Sequence, residues 1–348
     1  MKSSFISSSA IQNAMRLTIR QSQNQMVQAS IEATTGTYAD IGLSLGIDSA
    51  KSINYTRELD RISSFKDSNS TVNLRLEMSQ SGLAEMQKAS DTLVGNLTAL
   101  KGSQTSTSIA VTLQSATSAF AQLMDTGNMI SGGEYLFSGV NTDVPPLTDR
   151  SAAVEAQIVA DLNSYATGLG KGVSDLSAAE INTFMTNSVE PMFSVASWTD
   201  PVTGWSQASN QNMTSRISNS EVITSSTNAN SDGMRYLAMA TVMTNALIDQ
   251  GLGSDAMDAV SDRAIGYAAQ STADLVGQQS QLGLSQERVT KANDALDAQA
   301  SIINNKVVDL QGVDPAEAST LVKSLQTQLE AAYTIVSKIQ QLSLVNYL

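Results

Sequence analysis

Residues 62–100 read ISSFKDSNSTVNLRLEMSQSGLAEMQKASDTLVGNLTAL, and along them apolar side chains return at alternating steps of three and four. Ile62, Phe65, Asn69, Val72, Leu76, Ser79, Leu83, Met86, Ser90, Leu93, Leu97 and Leu100 fall on one seam, with three polar interruptions. That rhythm puts one face of a long α-helix against a neighbour lying alongside it. A second run follows Gly102, in which Ile109, Leu113, Ala116, Phe120, Leu123, Gly127 and Ile130 keep the same beat. Two helices joined at Lys101–Ser106 therefore form a long antiparallel hairpin.

Further along the chain, Leu275, Leu282, Val289, Leu296, Ile303 and Leu310 recur every seventh residue, while their companion positions hold mostly Gln, Ser, Asn, Ala or Val. So narrow a stripe buries too little area to hold an isolated helix, and the segment needs neighbours along all its length. Beyond it, Gly312 breaks the run, Asp314 is placed as an N-cap, Pro315 occupies the first helical position and Glu317 completes a capping box. The last helix carries the seam Ala318, Val322, Leu325, Leu329, Ala332, Val336 and Ile339, and Leu342, Leu344, Val345 and Leu348 extend its apolar character. At the other end a weaker stripe, Ile11, Met15, Thr18, Ser22, Met26, Ala29 and Ala33, stops before Thr34-Thr35-Gly36.

Between about Ser138 and Ser231 the period disappears, and here lie both tryptophans and every proline except Pro315. This reads as a separate, smaller domain of mixed strands and short helices, bounded by the loop chemistry of Asp143–Pro146 and Asn228–Gly233. Helix resumes over Met234–Gln250, with Leu237, Ala240, Thr244 and Leu247 on one face. The expected fold class is mainly α: a long antiparallel helical bundle or coiled coil built from paired N- and C-terminal segments, with an inserted middle domain that is mixed α/β or β-rich. Its expected parts are a terminal helical assembly domain (1–45 with 312–348), a long helical bundle (46–139 with 232–311) and an outer insert (140–231).

The two terminal stripes are both narrow and both lack a local partner, which is most simply met by their pairing with each other. An apolar stripe of that kind also invites intermolecular packing. The expectation is that the ends order fully only when neighbouring subunits complete their buried face. Ile11, Met15, Met26, Leu325, Leu329, Val336, Ile339, Leu342 and Leu344 are the candidate assembly interface.

Composition narrows the function. The chain has a formal net charge of -13, 5 % aromatic and 15 % charged residues, and neither Cys nor His. An acidic surface repels phosphate backbones and anionic lipid heads, so neither nucleic acid nor membrane insertion is expected. Without Cys and His, disulfides, thiolate nucleophiles, the commonest zinc ligands and the usual neutral-pH proton shuttle are unavailable. Met1–Ala10 lacks a secretory apolar core, which points to export without a cleaved signal peptide or to none at all.

The local motifs add no chemistry. Gly168-Leu169-Gly170-Lys171-Gly172 echoes a phosphate loop, but Tyr165 and Gly172 stand where that motif needs Gly and Ser or Thr. Asp143, Asp149, Asp161 and Glu180 have no metal-loop spacing and read as solvated charge. Asn96-Leu97-Thr98 and Asn212-Met213-Thr214 match the glycosylation triplet by chance in a chain rich in Asn, Ser and Thr. No catalytic, cofactor or metal site can be assembled.

Gly132-Gly133-Glu134-Tyr135-Leu136-Phe137-Ser138-Gly139, directly after the helical hairpin, resembles the segment at which flagellin-family proteins turn from their helix pair into the outer domain. Gln21–Asp40, with its Thr34-Thr35-Gly36 break, and Leu325–Tyr333 leading to Leu342–Leu348 agree with it. Ser343-Leu344-Val345-Asn346-Tyr347-Leu348 is similar to hook-associated members more than to filament flagellins, which commonly close with Leu-Leu-Arg. Tyr38–Gly46 departs from the more usual basic and Asp-Asp-Pro pattern.

The resemblance implies a structural subunit of the bacterial flagellum that joins hook to filament and supports motility, not an enzyme and without cofactors. It implies export unfolded through the flagellar type III channel, with a chaperone near the carboxy-terminal helix. The implied partners are copies of itself in a ring or helical assembly, hook-associated proteins and flagellin. Filament flagellin is the alternative; a type III secreted adhesin or effector, suggested by Trp198 and Trp205 in the middle domain, is the second.

Overall fold

The structure, a computed structural model, describes residues 8–345, and their side chains except at 8, 9, 340 and 342–345. The protein is mainly α-helical, and its chain divides into two compact units, 1–64 with 295–348 and 65–294. Two long helices, α3 (Ser49–Gly102) and α9 (Ser254–Gln311), contribute residues to both.

The first unit is a thin helical assembly. α1 (Ser8–Thr35) lies antiparallel to α10 (Pro315–Val345), and Gly36, with φ +70°, turns the chain out of α1. There the backbone pairs Thr37 with Gly312, and Val313 N–H donates to the Gly36 carbonyl at 2.9 Å. Asp314 accepts from the Ala316 N–H at 2.8 Å at the start of α10. A short α2 (Ile41–Leu45) is capped by Asp40, whose carboxylate accepts from Leu43 N–H at 2.9 Å, before α3 begins.

The second unit holds the large core. α3 turns at residues 103–105 into α4 (Ser106–Gly127), where the Thr105 side chain caps the new helix by accepting from Ser108 N–H. From Ile62 to Leu100 every seam position of α3 is buried except Phe65, which is half-buried. The three polar seam residues each find a partner within the helix or across it: Ser79 Oγ donates to the Arg75 carbonyl at 2.9 Å and Ser90 Oγ to the Ala268 carbonyl of α9 at 2.8 Å, while the Asn69 amide nitrogen donates to Asn293 of α9 at 2.7 Å. A heptad seam thus tolerates polar residues that find partners.

After α4, the strands β1 (Ile130–Ser131) and β2 (Glu134–Tyr135) form a two-residue hairpin. Its turn is Gly132-Gly133 with φ +61° and +88°, the left-handed geometry that matches strand twist and excludes most side chains. Leu136 and Phe137 then enter the core, where Phe137 packs over Gly82 of α3. Arg75 holds the hairpin from α3, donating to Glu134 Oε2 and the Tyr135 carbonyl, both at 2.8 Å.

The middle segment comprises α5 (Ser151–Gly168), α6 (Ala178–Phe184), α7 (Val195–Trp198) and a hairpin of β3 (Thr214–Arg216) and β4 (Val222–Thr224), followed by α8 (Asp232–Leu247). It does not form a core of its own. Trp198, Trp205, Phe193 and Ile158 belong to the same apolar cluster as Leu83 and Met86 of α3 and Leu237 and Met243 of α8. The compact units meet at 64/65 and 294/295 rather than at the expected 45 and 312, and no division falls at 140 and 231, where apolar burial continues from the insert into the bundle. α8 likewise differs from the one-faced helix expected: it is buried on nearly all sides, against α4 and α5. Its sequence, DGMRYLAMATVMTNAL, carries apolar or small residues on most sides, as an interior helix does, with Asp232 and Arg235 confined to its first turn.

Candidate assembly surface

The elements that carry the candidate interface are α1 and α10. Along α1 the positions turned toward the helix pair are Gln12, Met15, Ile19, Ser22, Met26, Ala29 and Ala33, all buried or half-buried. Two positions shift from the sequence reading: Ile11 and Thr18 are exposed, and their neighbours Gln12 and Ile19 take the seam. Along α10 the seam Ala318, Val322, Leu325, Leu329, Ala332, Val336 and Ile339 is as read, with Leu325 4 % and Leu329 6 % exposed. Leu325 and Leu329 are thus covered within the chain itself. Met15, Met26, Val336 and Ile339 are half-buried, and the side chains of Leu342 and Leu344 lie outside the described residues.

Pairing α1 with α10 leaves a second apolar stripe on each helix. Leu17, Val27 and Ile31 on α1 are exposed, and Leu17 and Ile31 stand two heptads apart, hence on one face. Leu321 and Ile335 on α10, also two heptads apart, are exposed as well. In the connection to α3, Leu43 is 77 % and Ile47 93 % exposed. Among the described residues of this unit only Ala29, Ile62, Leu296, Ala318, Leu325 and Leu329 are fully buried apolar side chains. Sequence reading missed the outer stripe because it followed the denser seam; the heptad spacing of Leu321 and Ile335 was the signal that could have found it.

Lys171, Glu180, Asp149 and Asp161, weighed for chemistry, are engaged in local hydrogen bonds. Lys171, in the glycine-rich loop, pairs with Glu180 at 2.7 Å, and Ser177 donates to the same carboxylate through both N–H and Oγ at 2.8 Å. The Lys171 ammonium first, then the Ser177 donors, pull the Glu180 carboxyl down to about 2. Asp149 accepts from Ser151 and Asp161 from Gln157. A cleft of about 440 Å³ lies between α6 and α9. Two of the acids lining it are occupied, Asp258 by Gln104 and Asp262 by Lys101. Burial and the neighbouring Glu190 raise the Tyr267 hydroxyl to about 12 there, so it stays neutral. Among the described residues no group of three or more Asp or Glu side chains is arranged to hold a metal ion, and no helix is long and apolar enough to cross a membrane.

Comparison with known proteins gives two matches in sequence. Residues 6–142 match the bacterial flagellin N-terminal helical region and residues 265–348 the bacterial flagellin C-terminal helical region, between them more than half of the chain. No individually curated protein matches the chain. A solved structure from Vibrio parahaemolyticus, provisionally described as a flagellar hook-associated protein, superposes with a TM-score of 0.53 at 12 % identity, over 76 % of this chain and 97 % of that one. At that identity the likeness is one of fold.

Proposed function

We infer the role of this protein from one premise, that the chain belongs to the bacterial flagellin family. It is accordingly a structural subunit of the flagellum, from a family whose members are not enzymes, stand outside the cell and assemble with copies of themselves and with other flagellar proteins. Our finer reading is that it joins hook to filament. Export through the flagellar type III route, uncleaved and held by a chaperone at the α10 segment, belongs to the same reading. The likeness of Ser343–Leu348 to hook-associated proteins supports the junction over a filament flagellin.

The observation that carries an assembly role is the imbalance in the terminal unit. Among its described residues it fully buries six apolar side chains and exposes twelve large ones, Leu17, Ile31, Ile47 and Ile335 among them. Covering a Leu or Ile side chain stabilises by about 1.5–3 kcal/mol, so a unit this thin gains more from neighbours than from its own core. In this reading Ile11, Met15, Met26, Val336, Ile339, Leu342 and Leu344, with the outer stripe of Leu17, Val27, Ile31, Leu321 and Ile335, meet sister subunits. Leu325 and Leu329 act one step back, holding α10 on α1 so that the stripe is presented.

The test is electron microscopy of a strain lacking this protein, with the secreted proteins measured in parallel. Hooks without filaments, and flagellin shed into the medium, are expected. Normal filaments on normal hooks would overturn the junction, and labelled protein along the whole filament would mark a filament flagellin instead.

A further inference from the structure

The seam of α3 carries an amide where a helix pair gains most from an apolar side chain, and that amide ties α3 to two other segments. Asn69 is 0 % exposed. Its Nδ2 donates to Asn293 Oδ1 on α9 at 2.7 Å and to the carbonyl of Ile217, in the β3–β4 turn, at 3.0 Å. Its Oδ1 is buried with no partner among the described residues. An unpaired buried acceptor is destabilising, so the value of Asn69 lies in something other than stability.

The apolar seams cannot by themselves choose a register. Leu76, Leu83 and Leu97 on α3 repeat at multiples of seven, as do Leu275, Leu282 and Val289 on α9. A slip of one heptad, about 10 Å of helix, sets apolar against apolar again. Polar contacts break that equivalence. Asn69 meets Asn293, and Ser90 meets Thr272 at 3.2 Å, the two contacts standing three heptads apart on both helices. After a slip one way Ser90 would face Ile265; after a slip the other way Asn69 would face Ala300.

The β3–β4 turn adds a second grip. Ile217 is 0 % exposed, its N–H closes the turn on the Glu221 carbonyl at 3.0 Å, and Arg288 Nε of α9 donates to Glu221 Oε1 at 2.8 Å. One turn is thus fastened to α3 through Asn69 and to α9 through Glu221. We propose that Asn69 is a register pin and the β3–β4 turn its clasp, together closing the α3/α9 pair in a single alignment.

The chain has no cysteine, so paired cysteine variants read the alignment without background. Gln80 Nε2 lies 2.6 Å from Gln286 Oε1, which makes Gln80→Cys with Gln286→Cys the reporter of the native register. Asp91, which accepts from Thr272 Oγ1 at 3.2 Å in the native register, would lie against Gln279 in the slip that sets Asn69 against Ala300, so Asp91→Cys with Gln279→Cys reports that slip. With Asn69 present, a short thiol-to-thiol cross-linker should join only the native pair. In an Asn69→Leu background the slip pair should rise to at least a tenth of the product, with helical circular dichroism retained. A silent slip pair in a folded Asn69→Leu protein would overturn the proposal. Should Asn69→Leu not fold, Arg288→Gln tests the clasp: amide exchange over residues 214–224 should rise at least tenfold, and unchanged exchange there would overturn it.

Discussion

Gln23 on α1 donates through Nε2 to the hydroxyl of Tyr333 on α10 at 2.8 Å, although 310 positions separate them in the chain. The contact lies at the edge of the α1/α10 seam, between two side chains that remain exposed. It marks the terminal helices as partners within one subunit, with their outer faces still open.

That arrangement separates two kinds of substitution on the same helices. Leu329→Asp puts a carboxylate into a seam that is 6 % exposed, and should destabilise the α1/α10 pair by about 3 kcal/mol or more. Leu17→Asp, at a side chain 55 % exposed, should change subunit stability by less than about 0.5 kcal/mol yet prevent attachment to the hook. Thermal circular dichroism of the monomer and a motility assay together read both; wild-type motility with Leu17→Asp would count against the outer stripe as an assembly face.

Two glycines of the segment that turns out of the helical hairpin should differ in their tolerance of alanine. At Gly139, φ is +64° and a Cβ would stand 2.5 Å from the Ser209 carbonyl oxygen and 2.6 Å from that of Gln211. Gly132, at φ +61°, has open space around the added carbon. Denaturant titration should show a loss of about 3 kcal/mol or more for Gly139→Ala and about 1 kcal/mol for Gly132→Ala.

Because the insert shares its core with the bundle, it should not unfold separately. Both tryptophans lie in the insert, whereas Leu83 belongs to α3 and is 0 % exposed. Leu83→Ala should lower the stability reported by tryptophan fluorescence by about 2–5 kcal/mol. An unchanged fluorescence transition would show an independent insert. The shared core also makes deletion of residues 145–225 a poor test of function, since it would remove Trp198 and Trp205 from the bundle.

Acid should loosen the loop between α5 and α6 late. Glu180 has its folded pKa depressed, from 4.5 to about 2, by the Lys171 ammonium and the Ser177 donors. Its contribution is present above the ordinary glutamate range and is lost as pH falls from there through about 2. The pair is solvent-screened, so the effect is local. Carbon-13 chemical shifts should give a Glu180 midpoint near 2, moving up toward 4.5 in Lys171→Met; the same midpoint in both proteins would remove Lys171 as the cause.

Much of this was legible in the residues. The α3 seam, the break at Lys101–Ser106, the α10 start at Asp314-Pro315 and the Gly132-Gly133 turn follow from backbone preferences that act within a few residues. Less legible were the outer stripe, which shares α1 and α10 with a denser seam, and the core of the insert. Trp198 stacks on Trp205 at 5.8 Å and Trp205 on Phe193 at 5.4 Å in a segment without any period. Aromatic clusters joined by irregular backbone leave no rhythm to read.

The sequence by itself determined which segments outside the insert are helical, where the hairpin and the last helix break, and that both ends carry a stripe too narrow to stand alone, because helix geometry makes side-chain spacing a local property. It did not place α5 (Ser151–Gly168) within the insert. Only the tertiary structure decided that Leu325 and Leu329 are covered by the subunit's own α1, that Leu17, Ile31 and Ile335 are left outside, and that Trp198 and Leu83 share one core. Burial is a relation between surfaces brought together from distant parts of the chain, and the same heptad stripe fits a partner within the molecule as readily as one beyond it.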